Sequence, residues 1–241
     1  MVELYVTGVE QNSCKNIVTT GLVATMQCLG YTTAVYKPVD VGAKIFNGYM
    51  ESNDLVFVKE KDKHIKTYFT YLLKENISPI LAGAVEKIEI EKDAIIRDYG
   101  MIKNLHECLL VDGLWGLGTP YGKDFLEEDV VKCLNLPLIL VVSAENSDLS
   151  NVLLAINRTK EKNINLRGII VTNFDEQSVR KKLIPKIIEE YSGAKVLGAL
   201  PQIEKDINPS DLIMETINNI DVEKTFDISI AKLKWQFVKK V

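Results

Sequence analysis

Short apolar runs recur along this chain of 241 residues, and segments with helical periodicity separate them. Apolar runs that do not alternate with polar residues are typical of strands covered on both faces. Strands that alternate with helices predict an α/β fold with a doubly wound, mostly parallel sheet flanked by helices in three layers. The predicted strands are Glu3–Thr7, Thr33–Tyr36, Leu109–Val111, Leu138–Val142, Ile169–Thr172 and Val196–Leu200. The predicted helices are Asn16–Leu29, His64–Lys74, Glu91–Asn104, Phe125–Leu134, Leu149–Lys162 and Glu176–Tyr191.

No linker rich in Gly, Ser or Pro and no repeat divides the chain, so residues 1–241 are expected to form a single domain. Its last part, about residues 209–241, differs from the alternating pattern. Two helices are predicted there, Asp211–Asn219 and Asp227–Val238, and Trp235 and Phe237 lie near the end of the second. We interpret this segment as a packing or dimer-contact element.

The composition argues against several classes of function. A net charge of -4 does not favour a nucleic-acid binder, which needs clustered positive charge. The absence of an apolar run of membrane-spanning length and of a signal peptide predicts a cytoplasmic protein without a membrane partner. Four cysteines and two histidines show neither zinc-ligand nor disulfide spacing.

The stretch from Val6 to Asn16 has the layout of a phosphate-binding loop between a strand and a helix. In such a loop, backbone N–H groups surround an anion, a Lys reaches the outer phosphates and a hydroxyl binds Mg²⁺. Lys15 is in place, but Cys14 stands where Gly is usual and Asn16 where the hydroxyl is usual. Taken alone, the stretch is a weak indication of nucleotide binding.

Polar clusters also follow several predicted strands, at the edge of the sheet where open α/β folds bind ligands. They are the loop after Thr7, Lys37 after Tyr36, Asp112-Gly113 after Val111, and Asn173 after Thr172. Each cluster has a simpler interpretation as well. Lys37 reads equally well as a surface lysine, and Asp112 as a turn or helix cap. Without other information, Asp54 would be an N-cap.

The motifs taken together resemble dethiobiotin synthase, within the group of P-loop proteins related to cobyrinic acid amidases and MinD. Their order and spacing hold from Val6 to about Gln202. After the first loop, the matching segments are Gly30-Tyr31, Tyr36-Lys37-Pro38-Val39, Ser52-Asn53-Asp54, Ser78-Pro79, Val111-Asp112-Gly113-Leu114-Trp115-Gly116, Thr119-Pro120, Leu136–Val142, Val171-Thr172-Asn173 and Leu197–Pro201.

The resemblance implies a P-loop fold and an ATP-dependent ring closure in biotin biosynthesis. CO₂ adds to 7,8-diaminononanoate as a carbamate, ATP phosphorylates it, and the second amine closes a cyclic urea. ATP and Mg²⁺ are the implied cofactors, and a homodimer is the implied assembly.

The resemblance also implies roles for individual residues. Lys15 and Lys37 would be catalytic, Gln11 and Val41 would contact substrate, and Mg²⁺ would be held by Asn16, Asp54 and Asp112. The implied nucleotide-binding residues are Asn12, Ser13, Cys14, Lys15, Asn16, Ile17, Asp54, Asp112, Gly113, Leu114, Trp115, Asn173, Phe174, Leu200, Pro201 and Gln202.

The sequence departs from the family pattern at several of these positions. The departures are Gln11 for Thr, Cys14 for Gly, Asn16 for Thr, Val41 for Ser, Asp112 for Glu, and Leu114-Trp115 for Ala-Gly. Two other functions therefore stay open. One is a catalytically impaired homologue that binds a nucleotide or another anion and acts through a partner. The other is a related ATP-dependent ligase with a different substrate.

Overall fold

The computed structural model describes residues 1–46 and 48–229. In this part of the chain the strands are β1 Val2–Gly8, β2 Thr33–Asp40, β3 Lys44–Phe46, β4 Tyr49–Glu51, β5 Lys66–Leu72, β6 Cys108–Asp112, β7 Pro120–Gly122, β8 Phe125–Leu126, β9 Leu138–Ser143, β10 Leu166–Phe174 and β11 Val196–Pro201. The helices are α1 Lys15–Cys28, α2 Asn53–Lys61, α3 Pro79–Glu86, α4 Lys92–Ile102, α5 Glu127–Leu134, α6 Leu149–Glu161, α7 Val179–Ser192, α8 Pro209–Asn219 and α9 Val222–Phe226.

Seven of the described strands form one parallel sheet in the order β11-β10-β9-β1-β6-β2-β5. The strand order reverses at β1, because β2 and β6 lie on one side of it and β9 to β11 on the other. A reversal of this kind opens a crevice beyond the carboxyl ends of the strands. The hairpins β3–β4 and β7–β8 stand outside this sheet.

Both faces of the sheet are covered, which explains the continuous apolar runs. In β1, Tyr5 belongs to one hydrophobic cluster while Leu4 and Val6 belong to another. The first cluster includes Ile95 of α4 and Ile156 of α6, so these helices cover one face. Side chains from α1, α2 and α9 pack in the second cluster on the other face. The predicted three-layer, doubly wound fold is confirmed.

The six predicted strands are confirmed, with bounds that differ by a few residues at their ends. The helix predicted over His64–Lys74 is wrong, because this segment contains the edge strand β5. The β-branched and aromatic residues of Lys66–Leu72 favour a strand, and its half-buried edge position obscures the apolar pattern. Helices α2 and α3 were not among the predicted helices.

In the C-terminal part, α8 confirms the predicted helix Asp211–Asn219. The next helix, α9, ends before Asp227, which adopts a left-handed conformation and caps it. The prediction that a helix begins at Asp227 is therefore wrong. Most of the predicted helix Asp227–Val238, with Trp235 and Phe237, lies outside the described residues. Among the described residues, no helix is both long and apolar enough to cross a bilayer.

Candidate functional site

The loop of residues 9–14 connects β1 to α1 at the carboxyl edge of the sheet. Gly8, the last residue of β1, precedes this loop in a crowded place, where a Cβ atom would lie 2.7 Å from the Glu10 carbonyl oxygen. Cys14 is the residue before α1 and has φ 56° and ψ 30°, in the left-handed region. A residue with a Cβ atom pays about 1–2 kcal/mol for this conformation, whereas Gly does not. The backbone therefore keeps a shape suited to glycine.

Lys15, the first residue of α1, points into the carboxyl edge of the sheet and is buried. Its Nζ atom donates to Asp112 Oδ1 at 2.6 Å, and the Thr19 hydroxyl donates to the same oxygen at 2.9 Å. Asp112 is the last residue of β6, the strand beside β1. The loop lysine and the strand-end carboxylate are thus already paired.

Lys37 joins the same cluster from β2, the next strand along, and its side chain is fully buried. Its Nζ atom donates to Asp54 Oδ2 at 2.7 Å and to Asp112 Oδ2 at 2.8 Å. Asp40 Oδ1 lies 3.6 Å from the same nitrogen. The interpretation of Lys37 as a solvated surface lysine is therefore excluded by its burial.

This lysine–aspartate cluster, which consists of Lys15, Lys37, Asp40, Asp54 and Asp112, shifts several pKa values. Burial lowers the pKa of Lys37, but Asp112, Asp40 and Asp54 outweigh it and raise the pKa well above its usual value. Burial alone would raise the pKa of Asp54, yet Lys37 and Lys15 bring it below its usual value. For Asp40, burial outweighs the attraction of Lys37, so its pKa is raised.

A cavity of about 450 Å³ opens above the cluster. Among the predicted site residues, its lining contains Gln11, Asn12, Cys14, Lys15, Asn16, Val41, Asp54, Leu114 and Trp115. Asp40, Asn53, Asn76, Asn146 and Lys205 complete the lining. Lys37 and Asp112 are buried partners of this lining.

The remaining predicted residues lie outside the cavity lining. Asn173 donates through Nδ2 to the Ser143 hydroxyl at 3.1 Å and approaches Cys14 Sγ at 3.6 Å. Its neighbour Thr172 donates to the Ser13 carbonyl at 2.8 Å. The end of β10 therefore fixes the loop before α1. The others outside the lining are Ser13, Ile17, Gly113, Phe174, the buried Leu200, Pro201 and the exposed Gln202.

The loop after β6, residues 113–116, is held from below by Glu127 at the start of α5. The Glu127 carboxylate is buried and accepts from the N–H groups of Leu114 at 3.2 Å and of Gly116 at 3.4 Å. Burial raises the pKa of Glu127 above its usual value, although the Thr7 hydroxyl and these amides oppose the shift. This contact sets the position of Leu114 and Trp115 beside the cavity.

The predicted metal ligands differ in their availability. Asn16 and Asp54 line the cavity, and each has one oxygen that accepts a hydrogen bond: Asn16 Oδ1 from the Ile17 N–H at 3.0 Å and Asp54 Oδ2 from Lys37 at 2.7 Å. In Asp112 both carboxylate oxygens are engaged by lysine or threonine side chains. Within residues 1–46 and 48–229, no group of three or more His, Cys, Asp and Glu side chains is arranged to hold a metal. Mg²⁺ usually binds through one or two protein ligands together with phosphate oxygens and waters. Asn16 and Asp54 fit that need without Asp112.

Sequence reasoning missed three residues with a part in this site. Thr19 lies four residues after Lys15, on the same face of a helix, and that spacing was a usable signal. Asp40 lies three residues after Lys37, which in a regular strand places the two side chains on opposite faces. Glu127 is a buried carboxylate, but its segment has the pattern of the start of an amphipathic helix, where acidic residues are usually exposed. For Asp40 and Glu127 the sequence offered no signal.

A protein-family model described as an AAA domain (AAA_26) matches residues 2–210, which is most of the chain. The chain belongs to this family. Two relatives are named ATP-dependent dethiobiotin synthetase BioD. The protein of Bacillus subtilis (strain 168) is 25% identical over 200 residues, covering 83% of this chain and 87% of the relative. That of Fusobacterium nucleatum is 28% identical over 213 residues, covering 87% and 96%.

Solved structures with the same fold include P-loop ATPases. The MinD cell division protein of Aquifex aeolicus has a TM-score of 0.58 at 15% identity and covers 95% of this chain and 99% of its own. A ParA family ATPase from Chlorobium tepidum has a TM-score of 0.55 at 13% identity, with coverages of 95% and 93%. At these identities the likeness shows the fold alone, which is the P-loop type expected from the sequence.

Proposed function

We propose that this AAA-domain protein is an ATP-dependent ligase of the dethiobiotin synthase type, which closes a cyclic urea from 7,8-diaminononanoate and CO₂. The observation that carries the proposal is the meeting of Lys15 and Lys37 with Asp54 and Asp112 beside the loop before α1. These residues belong to the motifs that carry the resemblance. The relatives named dethiobiotin synthetase support the same activity.

The reaction consists of three steps. One amine of the substrate adds to CO₂ and loses a proton, which gives a carbamate. A carbamate oxygen then attacks the γ-phosphorus of ATP, the bond to the bridging oxygen breaks, and ADP leaves. Finally the second amine attacks the carbamoyl carbon, expels phosphate and loses a proton, which closes the ring. Phosphoryl transfer of this kind depends mainly on positioning and on charge neutralisation.

The chain supplies that positioning through its lysines. Lys15 would bind the outer phosphates, and Lys37 would neutralise the carbamate and the phosphoryl group in transfer. Both amines are paired with carboxylates, so we infer that the arriving phosphates compete with Asp112 for Lys15. The N–H groups of Lys15 and Asn16 at the start of α1 would bind phosphate oxygens. The Ile17 N–H is already bonded to the Cys14 carbonyl at 3.1 Å and to Asn16 Oδ1 at 3.0 Å.

We propose Asn16 and Asp54 as the ligands of Mg²⁺, and Asp112 as a third where Lys15 turns to the phosphates. When bound, Mg²⁺ would neutralise the charge of the phosphates. Asn173, Phe174, Leu200, Pro201 and Gln202 are kept as the proposed surroundings of the base, and Gln11 and Val41 as substrate contacts. We also propose a homodimer in the cytoplasm, as the resemblance implies.

The cavity suggests how a long substrate would lie. Trp115 lines both the cavity above the lysine–aspartate cluster and a second cavity of about 770 Å³. The second cavity has apolar lining from Val9, Leu117 and Leu154, with Arg158 at its border. The aliphatic chain and carboxylate of the substrate would extend past Trp115 into it.

A second candidate function is that of a catalytically impaired homologue that binds a nucleotide or another anion. The observation in its favour is Cys14, which carries a side chain at the left-handed position before α1.

The release of phosphate from ATP distinguishes the two functions. For the synthase, phosphate release requires the diamine, CO₂ and Mg²⁺ together and stops when any one is omitted. Binding of ATP in calorimetry without release that depends on the diamine would contradict the synthase and support the impaired homologue. If a screen finds another amine that supports phosphate release in place of the diamine, the protein is a ligase with a different substrate.

A further inference from the structure

The lysine–aspartate cluster contains one more carboxylate than it has amines. Lys15 and Lys37 supply two positive charges, and Asp40, Asp54 and Asp112 supply three negative ones. Asp54 and Asp112 both accept hydrogen bonds from Lys37, at 2.7 Å and 2.8 Å. Asp40 Oδ1 stays at 3.6 Å, beyond hydrogen-bond distance. Lys205 also lines the cavity, so Asp40 is distinguished as the carboxylate of the cluster without a close amine partner.

Asp40 nevertheless borders the cavity. Asp40 is 6% exposed, and it belongs to the cavity lining together with Val41, Asn53 and Asn76. Leaving a carboxylate in a buried wall without a full counter-charge is unfavourable. A cation that enters the cavity would remove this penalty, so the wall at Asp40 favours a positively charged ligand group.

Asp40 lies on the β2 side of the cavity that it shares with the loop of residues 9–14. It ends β2, and β6 lies between β2 and β1, the strand that leads into the loop of residues 9–14. A nucleotide bound at that loop would approach from the β1 side. Asp40 is not one of the proposed Mg²⁺ ligands, which are Asn16, Asp54 and Asp112. An organic ammonium group needs a single carboxylate acceptor rather than a set of ligands, so it fits this place.

We propose that Asp40 is a specificity-determining residue that binds the second amine of the substrate, as an ammonium group, next to the carbamate at Lys37; the ammonium releases one proton to solvent before the neutral amine attacks. This inference rests on the proposed function and adds the residue that tells a diamine from a monoamine. Its 3.6 Å distance from Lys37 Nζ suits two neighbouring groups of opposite charge on one substrate. A neutral analogue lacks the charge that Asp40 would pair with.

The test compares binding of the diamine and of a monoamine, in which a hydroxyl replaces the second amine, in the presence of a non-hydrolysable ATP analogue. The variants are Asp40→Asn, Asp40→Glu and a control, Asp93→Asn, whose side chain is exposed on α4. The wild type and the control are expected to prefer the diamine. Asp40→Asn should lose roughly ten- to a hundredfold of that preference, and Asp40→Glu should restore part of it.

Different failures have different meanings. If the wild type binds no diamine and shows no turnover with it, the proposed function is wrong. If the wild type turns over the diamine but Asp40→Asn keeps the full preference, or alters only the dependence on Mg²⁺, the inference about Asp40 is overturned. Should Asp40→Asn fail to fold, the wild type decides alone, because equal binding of diamine and hydroxyl analogue would overturn it.

Discussion

At the scale of single residues, Cys14 combines a left-handed backbone with a side chain at the entrance to α1. We expect Cys14→Gly to bind ATP more tightly, because it removes Cβ and Sγ from the place where phosphate approaches the backbone. Its free energy of unfolding should stay within about 1 kcal/mol, since relief of strain and the greater freedom of the unfolded chain oppose each other. Calorimetry and denaturant unfolding measure the two effects.

Cys14→Ala is the matched control, because it keeps Cβ and removes only the sulfur. Its ATP affinity should fall between that of the wild type and that of Cys14→Gly. Equal affinity in all three proteins would show that residue 14 does not limit nucleotide entry.

Much of this site could be predicted from the sequence alone. Lys15, Lys37 and Asp112 follow strands of a parallel sheet, and strand ends meet at one edge, so their proximity was predictable. Their pairing as buried ions was not, because a strand end looks the same whether its side chain faces solvent or another charge. Asp40 could not be predicted as a partner of Lys37, because residues three apart in a regular strand lie on opposite faces of the sheet.

At the scale of elements, α5 supports the loop of residues 113–116 through the buried Glu127. Glu127→Ala should lower the free energy of unfolding by about 1–3 kcal/mol, because it leaves two buried N–H groups without an acceptor. Glu127→Gln keeps an acceptor and removes a buried charge, so it should remain within about 1 kcal/mol of the wild type at neutral pH. Denaturant unfolding of both variants tests the contact, and a fully stable Glu127→Ala would rule it out.

The elements themselves were predictable to different degrees. Central strands such as β6 and β9 are continuous apolar runs buried on both faces, and their pattern is clear. Edge strand β5 mixes exposed and half-buried residues, with Phe69 50% exposed, and its pattern was read as helical. Its β-branched and aromatic residues favour a strand, and its pairing with β2, a contact remote in sequence, fixes it as one.

At the scale of the whole molecule, the lysine–aspartate cluster should make stability depend on pH. The pKa of Asp54 is below its usual value in the folded protein, where Lys37 and Lys15 outweigh the effect of burial. At low pH the unfolded chain therefore binds more protons at this residue, and its contribution is present above about pH 4 and lost as pH falls further. The Asp54 side chain is 30% exposed, and solvent weakens its ion pairs. Its contribution to the free energy of unfolding should therefore be at most roughly 1–3 kcal/mol.

Urea unfolding of the wild type and of Asp54→Asn across pH 2 to 7 measures this contribution. The difference in unfolding free energy should be constant above about pH 5 and should shrink below pH 4. A difference that grows as the solution becomes more acidic would contradict the charge pairing.

The fate of labelled carbon shows whether the lysine–aspartate cluster serves an ATP-dependent ring closure. The protein would be incubated with ATP, Mg²⁺, 7,8-diaminononanoate and ¹³C-labelled bicarbonate, and the products examined by mass spectrometry and NMR. We expect a cyclic urea with the label at its carbonyl carbon, formed in equal amount with ADP. Unlabelled diamine recovered unchanged while ATP remains bound to the protein would contradict this expectation.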